Sequence, residues 1–272
     1  MSKGISLHIG INSVDPNHYA GWDGKLNACE QDAKDMLAIA KANGFKSSKT
    51  LFTSQATAGA ILSAIGMASR QLVKGDIFFL TYSGHGGQTA DPTGEEADKK
   101  NETWVAFDRQ IIDDELYAMW SRFAAGVRII VCSDSCHSGT VTRDLEAQAA
   151  ADPAQGVPRE IPREIAAEVN LQHKSLYESL AWGAGAAKRL AVGAHVLLIS
   201  GCQDNQTSLD GPQNGLFTAM LLKVWNGGAF SGCYRDLHAQ ILARMPASQQ
   251  PNFFVTGVPS PTFERQRPFS VA

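Results

Sequence analysis

With 272 residues, 44% apolar composition and a net charge of −3, the chain has material for one large α/β unit and shows no disorder signature. Mild acidity without a long basic run argues against nucleic acid as a partner. The five cysteines (29, 132, 136, 202 and 233) are odd in number and show no paired spacing, which argues against a disulfide framework. No apolar run approaches 18 residues, and residues 1–12 lack the apolar core of a signal peptide. The expectation is therefore no membrane partner and a reducing cytoplasm.

Residues 5–12, apolar and β-branched, predict the first strand. Residues 16–24 form a polar loop with Tyr19 and Trp22. Helical spacing of Ala33, Met36, Leu37 and Ala40 predicts a helix over 29–43, stopped by Gly44. A strand over 49–53 and a helix over 57–73, opened by a Thr57 cap, complete a β-α-β-α-β order. That order predicts right-handed crossovers and a parallel sheet. Residues 76–83 and 127–132 are nearly continuous apolar runs, the pattern of strands buried on both faces.

Residues 86–105 read as a polar loop, followed by a helix from Asp113 to about residue 123. Residues 141–195 are the least legible. Pro153, Pro158 and Pro162 suggest an exposed insertion carrying Arg143, Arg159 and Arg163, with a helix over 176–192. Exposed segments of this kind are nicked by proteases, so self-cleavage within 143–163 is expected. Residues 195–200 predict another buried strand, then helices over 216–225 and 234–244, a strand over 252–256 and an edge strand over 261–271.

Two of the buried strands end abruptly in chemistry-bearing residues. One delivers Asp134, Ser135 and Cys136, the other Gly84-His85-Gly86-Gly87, both at the carboxyl edge where open α/β sheets bind ligands. A thiol and an imidazole brought together there form a nucleophilic pair. His137 is the rival base, but neighbouring side chains diverge. Cys132, Cys136 and His137 fit no standard zinc spacing. The backbone amides of Gly86 and Cys136 are the candidate oxyanion donors. Asp134 should point beside the nucleophile. Asp32, on the first turn of a helix, also reads as a surface residue. Cys132, Cys202 and Cys233 read as structural.

Tyr82-Ser83-Gly84-His85-Gly86 and Asp134-Ser135-Cys136-His137-Ser138-Gly139 resemble the two signature motifs of metacaspases and their bacterial relatives, the orthocaspases. Residues 26–33, with Cys29 and Asp32, and residues 200–208 are similar to two further family segments in the same order. The resemblance implies a three-layer caspase-haemoglobinase fold with a mainly parallel sheet. It also implies a single peptidase domain over 1–272: a large-subunit-like part to about 145, an insertion over about 146–175 and a small-subunit-like part from about 176. The implied activity is a Cys–His endopeptidase using His85 and Cys136, with Gly86 and Cys136 amides as the oxyanion donors. Cys29, Asp32, Ser83 and Asp134 would line a pocket selecting Arg or Lys in protein or peptide substrates, because a buried anionic pair needs a cation. A clan relative with another specificity and a non-catalytic interaction module are the alternatives.

Calcium-dependent members carry further aspartates. Asp113 and Asp114 match two of them, or simply face a helix dipole, while Asn101 and Arg143 stand at the others and Asp144 falls one residue late. No required cofactor is expected, and the family resemblance points to a monomer.

Overall fold

The computed structural model describes residues 2–94, 96, 98–136, 156–188, 191–203 and 206–271. From the N-terminus run β1 (Gly4–Gly10), α1 (Cys29–Ala42), β2 (Ser47–Phe52), α2 (Ala58–Gln71), β3 (Ile77–Ser83), β4 (Gly86–Ala90), β5 (Lys100–Val105), β6 (Gln110–Ile112) and α3 (Asp113–Trp120). There follow β7 (Arg128–Asp134), β8 (Val157–Pro158), α4 (Arg163–Gln172), α5 (Lys174–Lys188), β9 (His195–Ser200) and β10 (Leu209–Asp210). The described chain closes with α6 (Leu216–Trp225), α7 (Tyr234–Leu242), β11 (Asn252–Gly257) and α8 (Pro261–Arg265).

Six strands form the central sheet in the order β11-β9-β7-β3-β1-β2. All neighbours are parallel except β11, which runs antiparallel to β9. The alternation of a strand divides each apolar run between two cores. Ile77, Phe79, Ile130, Cys132, Leu197 and Ile199 face a layer built from α1, α6 and α7. Phe78, Leu80, Tyr82, Ile129, Val131 and Val196 face α2, α3, α4 and α5. This is why the central runs read as continuously apolar, and it holds the carboxyl ends of β3 and β7 rigidly side by side.

Two expectations fail for local reasons. Residues 86–105 are a hairpin, β4–β5, extended by β6 into a second sheet. Its buried positions include Gly87, Thr89, Asn101 and Thr103, so no apolar period betrays it, and the Thr103 hydroxyl instead donates to Gln110 Oε1 at 2.6 Å. The expected edge strand over 261–271 contains the short helix α8. Ser260 accepts the Phe263 amide as an N-cap, Pro261 supplies a favourable first position, and Phe263 is buried in the core.

Candidate active site

β3 and β7 are neighbours in register, with Ser83 opposite Asp134. Their continuations therefore bring His85 and Cys136 to one edge of the sheet. The His85 ring is buried beside Trp22, with centroids 4.7 Å apart. Its Nε2 lies 3.0 Å from the Gly24 carbonyl. A carbonyl only accepts, so Nε2 carries the proton and Nδ1, which has no hydrogen-bond partner among the described residues, keeps its lone pair. Burial first, with the Arg159 charge adding to it and the Gly24 and Glu160 backbones opposing it, lowers the His85 pKa to about 3. The imidazole is thus a neutral base whose free nitrogen is set by a backbone orienter that no sequence pattern marked.

Cys136 is fully buried. Its thiol donates to the Gln206 carbonyl at 2.6 Å, accepts the Ser208 amide, and lies 2.8 Å from Cys202 Sγ. Burial first, and Cys202 second, push its pKa far up. Cys202 is thus no remote structural thiol but the immediate neighbour of the candidate nucleophile. His137 lies outside the described residues.

The chain lays its own segment across this edge. β8 pairs antiparallel with β10, Val157 opposite Asp210 and Pro158 opposite Leu209. Next comes Arg159, whose amide donates to the Ser208 carbonyl at 2.8 Å. The Arg159 carbonyl oxygen receives two amides, Gly86 N at 3.0 Å and Cys136 N at 3.1 Å. These are the two donors expected to hold an oxyanion, and they meet on one peptide oxygen. Beyond it, the Ile161 amide donates to the Gly86 carbonyl at 2.9 Å.

The Arg159 side chain is 0% exposed, which corrects the expectation of exposure at this residue; Arg163 is exposed as expected, and Arg143 lies outside the described residues. Its Nη2 reaches Asp32 Oδ2 at 2.6 Å and Asp210 Oδ1 at 2.8 Å. Its Nη1 reaches Ser83 Oγ at 2.8 Å and Asp134 Oδ2 at 3.0 Å. A buried guanidinium is tolerated only where carboxylates meet it, and here three do. Cys29 completes the wall, packed with Val157 and electrostatically coupled to Arg159. Asp32 is not the surface residue its position on a first helical turn also allowed. It is 1% exposed and accepts Ser83 Oγ, Asn214 Nδ2 and the Gly215 amide besides Arg159. Burial, with Asp134 adding repulsion, raises the Asp32 pKa to about 6 against the pull of Arg159. Gly215 forms the floor: a Cβ there would collide with the guanidinium and the Asp134 carboxylate.

Cys29, Asp32, Ser83 and Asp134 thus converge on one cation. Sequence reasoning missed Asp210, Gly215 and the Ser208 carbonyl. The motif-like stretch over 200–208 stops two residues short of Asp210, and only the polarity of the loop after β9 hinted at more.

The buried titratable groups predict an acid-sensitive fold. His8, which bonds Thr81 Oγ1, and His85 both have pKa values lowered by burial to about 3. Below pH 6.5 the unfolded chain takes two protons there that the folded chain refuses. Asp32 acts oppositely between its ordinary value and about 6, binding a proton only in the folded chain. The half-buried His18, lowered to about 4 by burial and by His173, refuses a third proton in part. Between one and two net protons are left, so stability should fall by about 1.4–2.7 kcal/mol per pH unit from pH 6 toward 4. Urea unfolding of Cys136→Ala across that range measures it; stability rising on acidification would contradict the assignment.

Among the described residues, no group of three or more His, Cys, Asp or Glu is arranged to hold a metal ion. Asp113 and Asp114 open α3 and Asn101 sits in β5, while Arg143 and Asp144 lie outside the described residues. No described helix is long and apolar enough to cross a membrane.

Known proteins resemble this chain in sequence and in fold. Metacaspase-1 of Mycosarcoma maydis is 32% identical over 247 residues, covering 79% of this chain and 60% of that protein. Metacaspase-1 of Botryotinia fuckeliana is 33% identical over 240 residues, covering 76% and 56%. The chain therefore spans less than two thirds of either relative. A crystal structure of a Geobacter sulfurreducens protein superposes with TM-score 0.87 at 48% identity, covering 99% of both chains. Caspase-1 of Spodoptera frugiperda, at 12% identity and TM-score 0.55 over 94% of this chain and 86% of its own, shares the fold alone. The fold is the three-layer caspase type with a mainly parallel sheet. The caspase-domain model (Peptidase_C14) matches residues 7–268, and the chain belongs to that family.

Proposed function

We propose that this chain is a cysteine endopeptidase that cleaves after arginine, with His85 and Cys136 as its dyad, and that its first substrate is its own Arg159–Glu160 bond. One observation carries the reading. Arg159 lies in a pocket of three carboxylates while the Gly86 and Cys136 amides hold its carbonyl oxygen. That is how a peptidase holds the residue before a scissile bond.

The Cys136 amide is 3.1 Å from that oxygen, so rotation of its side chain away from Cys202 turns the thiol toward the same carbonyl. His85 Nδ1 takes the thiol proton as sulfur attacks the Arg159 carbonyl carbon. Negative charge builds on the oxygen already held by two amides. The tetrahedral intermediate then collapses, and the C–N bond breaks as His85 returns the proton to the Glu160 nitrogen. Water, deprotonated by His85, hydrolyses the thioester and regenerates the thiol. In the intact chain both groups are neutral and buried, so cleavage is slow until the thiol turns.

Pro158 is compatible with the position before the arginine. Arg159 gives its N–H to Ser208, so the next hydrogen-bonded pair is Val157 with Asp210, and Pro158 stands at the non-hydrogen-bonded site between them. The reading invokes no metal, and calcium chelation should leave cleavage intact.

The test is intact-mass spectrometry of purified chain over time. Wild type should divide between residues 159 and 160. Cys136→Ala and His85→Ala should remain whole, and His137→Ala should still divide. A whole wild-type chain, or division in Cys136→Ala, would refute the proposal.

A further inference from the structure

We infer that Asp210 makes this pocket select arginine over lysine, an assignment that rests on the cleavage proposed above. The Arg159 guanidinium presents two terminal nitrogens with two N–H groups each. Nη1 is shared among Ser83 Oγ, Asp134 Oδ2 and, at 3.2 Å, the Asp134 carbonyl. Nη2 gives one N–H to Asp32 at 2.6 Å and the other to Asp210 at 2.8 Å. Asp210 therefore takes a donor that exists only because the cation is forked. A lysine ammonium has three N–H groups on a single nitrogen. Directed at Asp32, Ser83 and Asp134, it has none left for a carboxylate on the opposite wall.

Asp210 is fixed independently of the arginine. Its Oδ2 accepts the Asn27 amide at 2.8 Å, and its Oδ1 the Ala28 amide at 3.3 Å, on the turn that leads into α1. It is 2% exposed and lies on β10, the strand that pairs with the incoming peptide at Val157. Backbone pairing therefore sets its carboxylate in register with the residue two places on, Arg159. With lysine bound, this anion stays buried and half-satisfied, which is the costly arrangement for a desolvated charge. Three carboxylates around one cation leave the pocket strongly anionic. The raised Asp32 pKa of about 6 reflects that crowding and burial.

The test is a double-mutant cycle within the chain itself, since residue 159 is both substrate and probe. Rates of division at the 159–160 bond are measured for wild type, Arg159→Lys, Asp210→Asn and the double variant. In the parent background Arg159→Lys should slow division by about 10–100-fold, the worth of one charge-assisted hydrogen bond. With Asp210→Asn the arginine advantage should shrink to about threefold or less, the pocket having lost that bond. An equal lysine penalty in both backgrounds, or loss of division with arginine and lysine alike, overturns the inference.

A second cycle needs no activity. In the Cys136→Ala chain, urea unfolding should give an Arg159→Lys penalty that is large beside Asp210 and small in Asp210→Asn; additive penalties overturn the inference by this route too. Asparagine keeps an oxygen for the Asn27 amide, so Asp210→Asn should fold. A wild-type chain that never divides, joined to a coupled stability cycle, would refute the proposed peptidase function and leave the Arg159–Asp210 pairing standing.

Discussion

Replacing Arg159 with alanine should end division at the 159–160 bond and destabilise the folded chain by about 3–5 kcal/mol, the usual cost of removing one partner from a buried ionic cluster. The size follows from what remains. Asp32, Asp134 and Asp210 are each 1–2% exposed, and all three touch the same guanidinium. Without it they repel one another in a space narrowed by Gly215. Other donors soften the loss: Ser208 and Thr218 still serve Asp134, and the Asn27 and Ala28 amides still serve Asp210. Protonation softens it further. Asp32 already has a pKa of about 6 with the cation in place, and losing the cation removes the interaction that holds it down. A carboxyl with a raised folded pKa gains stability as pH falls, so the deficit should be larger at pH 8 than at pH 5. Urea midpoints of Cys136→Ala with and without Arg159→Ala give both numbers. An unchanged midpoint at pH 8 would mean that Arg159 does not anchor the segment across the site.

The central sheet was legible because its strands must be apolar on both faces, and residues 76–83, 127–132 and 195–200 are. Helices at 29–43, 57–73 and 216–225 were legible from spacing and from Thr57, whose side chain accepts the Ala60 amide. What escaped shares one property: its buried positions are polar. β4 and β5 bury Thr89, Asn101 and Thr103, and the segment after residue 156 buries Arg159 and Glu160. Such residues read as surface until a partner far along the chain is known. Arg159 meets Asp32 across a sequence separation of 127 and Asp210 across 51. No local pattern records those pairings. The segment over 143–163 was expected to be cut because it was exposed; the cleavage proposed at Arg159 rests on the opposite ground, that Arg159 and Glu160 are buried. His85 and Cys136 were legible because glycines or small residues follow strands that the core had already fixed. Their closed state was not, since it depends on the segment laid over them.

Asp32→Asn and Asp134→Asn should each lower kcat/KM for an arginyl peptide by on the order of 10²–10³, and Asp32→Asn should be the more damaging. The measurement belongs in the Arg159→Ala background, where the chain's own arginine no longer fills the pocket. Both Asp32 oxygens are committed to donors: Oδ1 to Asn214 Nδ2 and the Gly215 amide, Oδ2 to Ser83 Oγ and the guanidinium. An asparagine there must turn an NH2 group against a donor on one side or the other. Asp134 has an easier exchange. Its Oδ2 serves the Thr218 amide and hydroxyl, but its Oδ1 faces the Ser208 hydroxyl, which can reverse and accept. An asparagine there keeps its neighbours and loses mainly the charge. The raised pKa of Asp32 adds a pH signature, being about 6 with a guanidinium in the pocket and higher once Arg159 is gone. Cleavage after arginine should decline as pH falls toward 6, as the carboxylate that meets the substrate takes up a proton. Asp32→Asn should lose that acid limb, whereas Asp134→Asn should keep it. Alkylation of Cys136 by iodoacetamide should proceed at similar rates in both variants, because neither carboxylate touches the thiol. Unimpaired arginyl cleavage by either variant would remove that carboxylate from the recognition of substrate, and equal loss of alkylation would trace the defect to the fold instead.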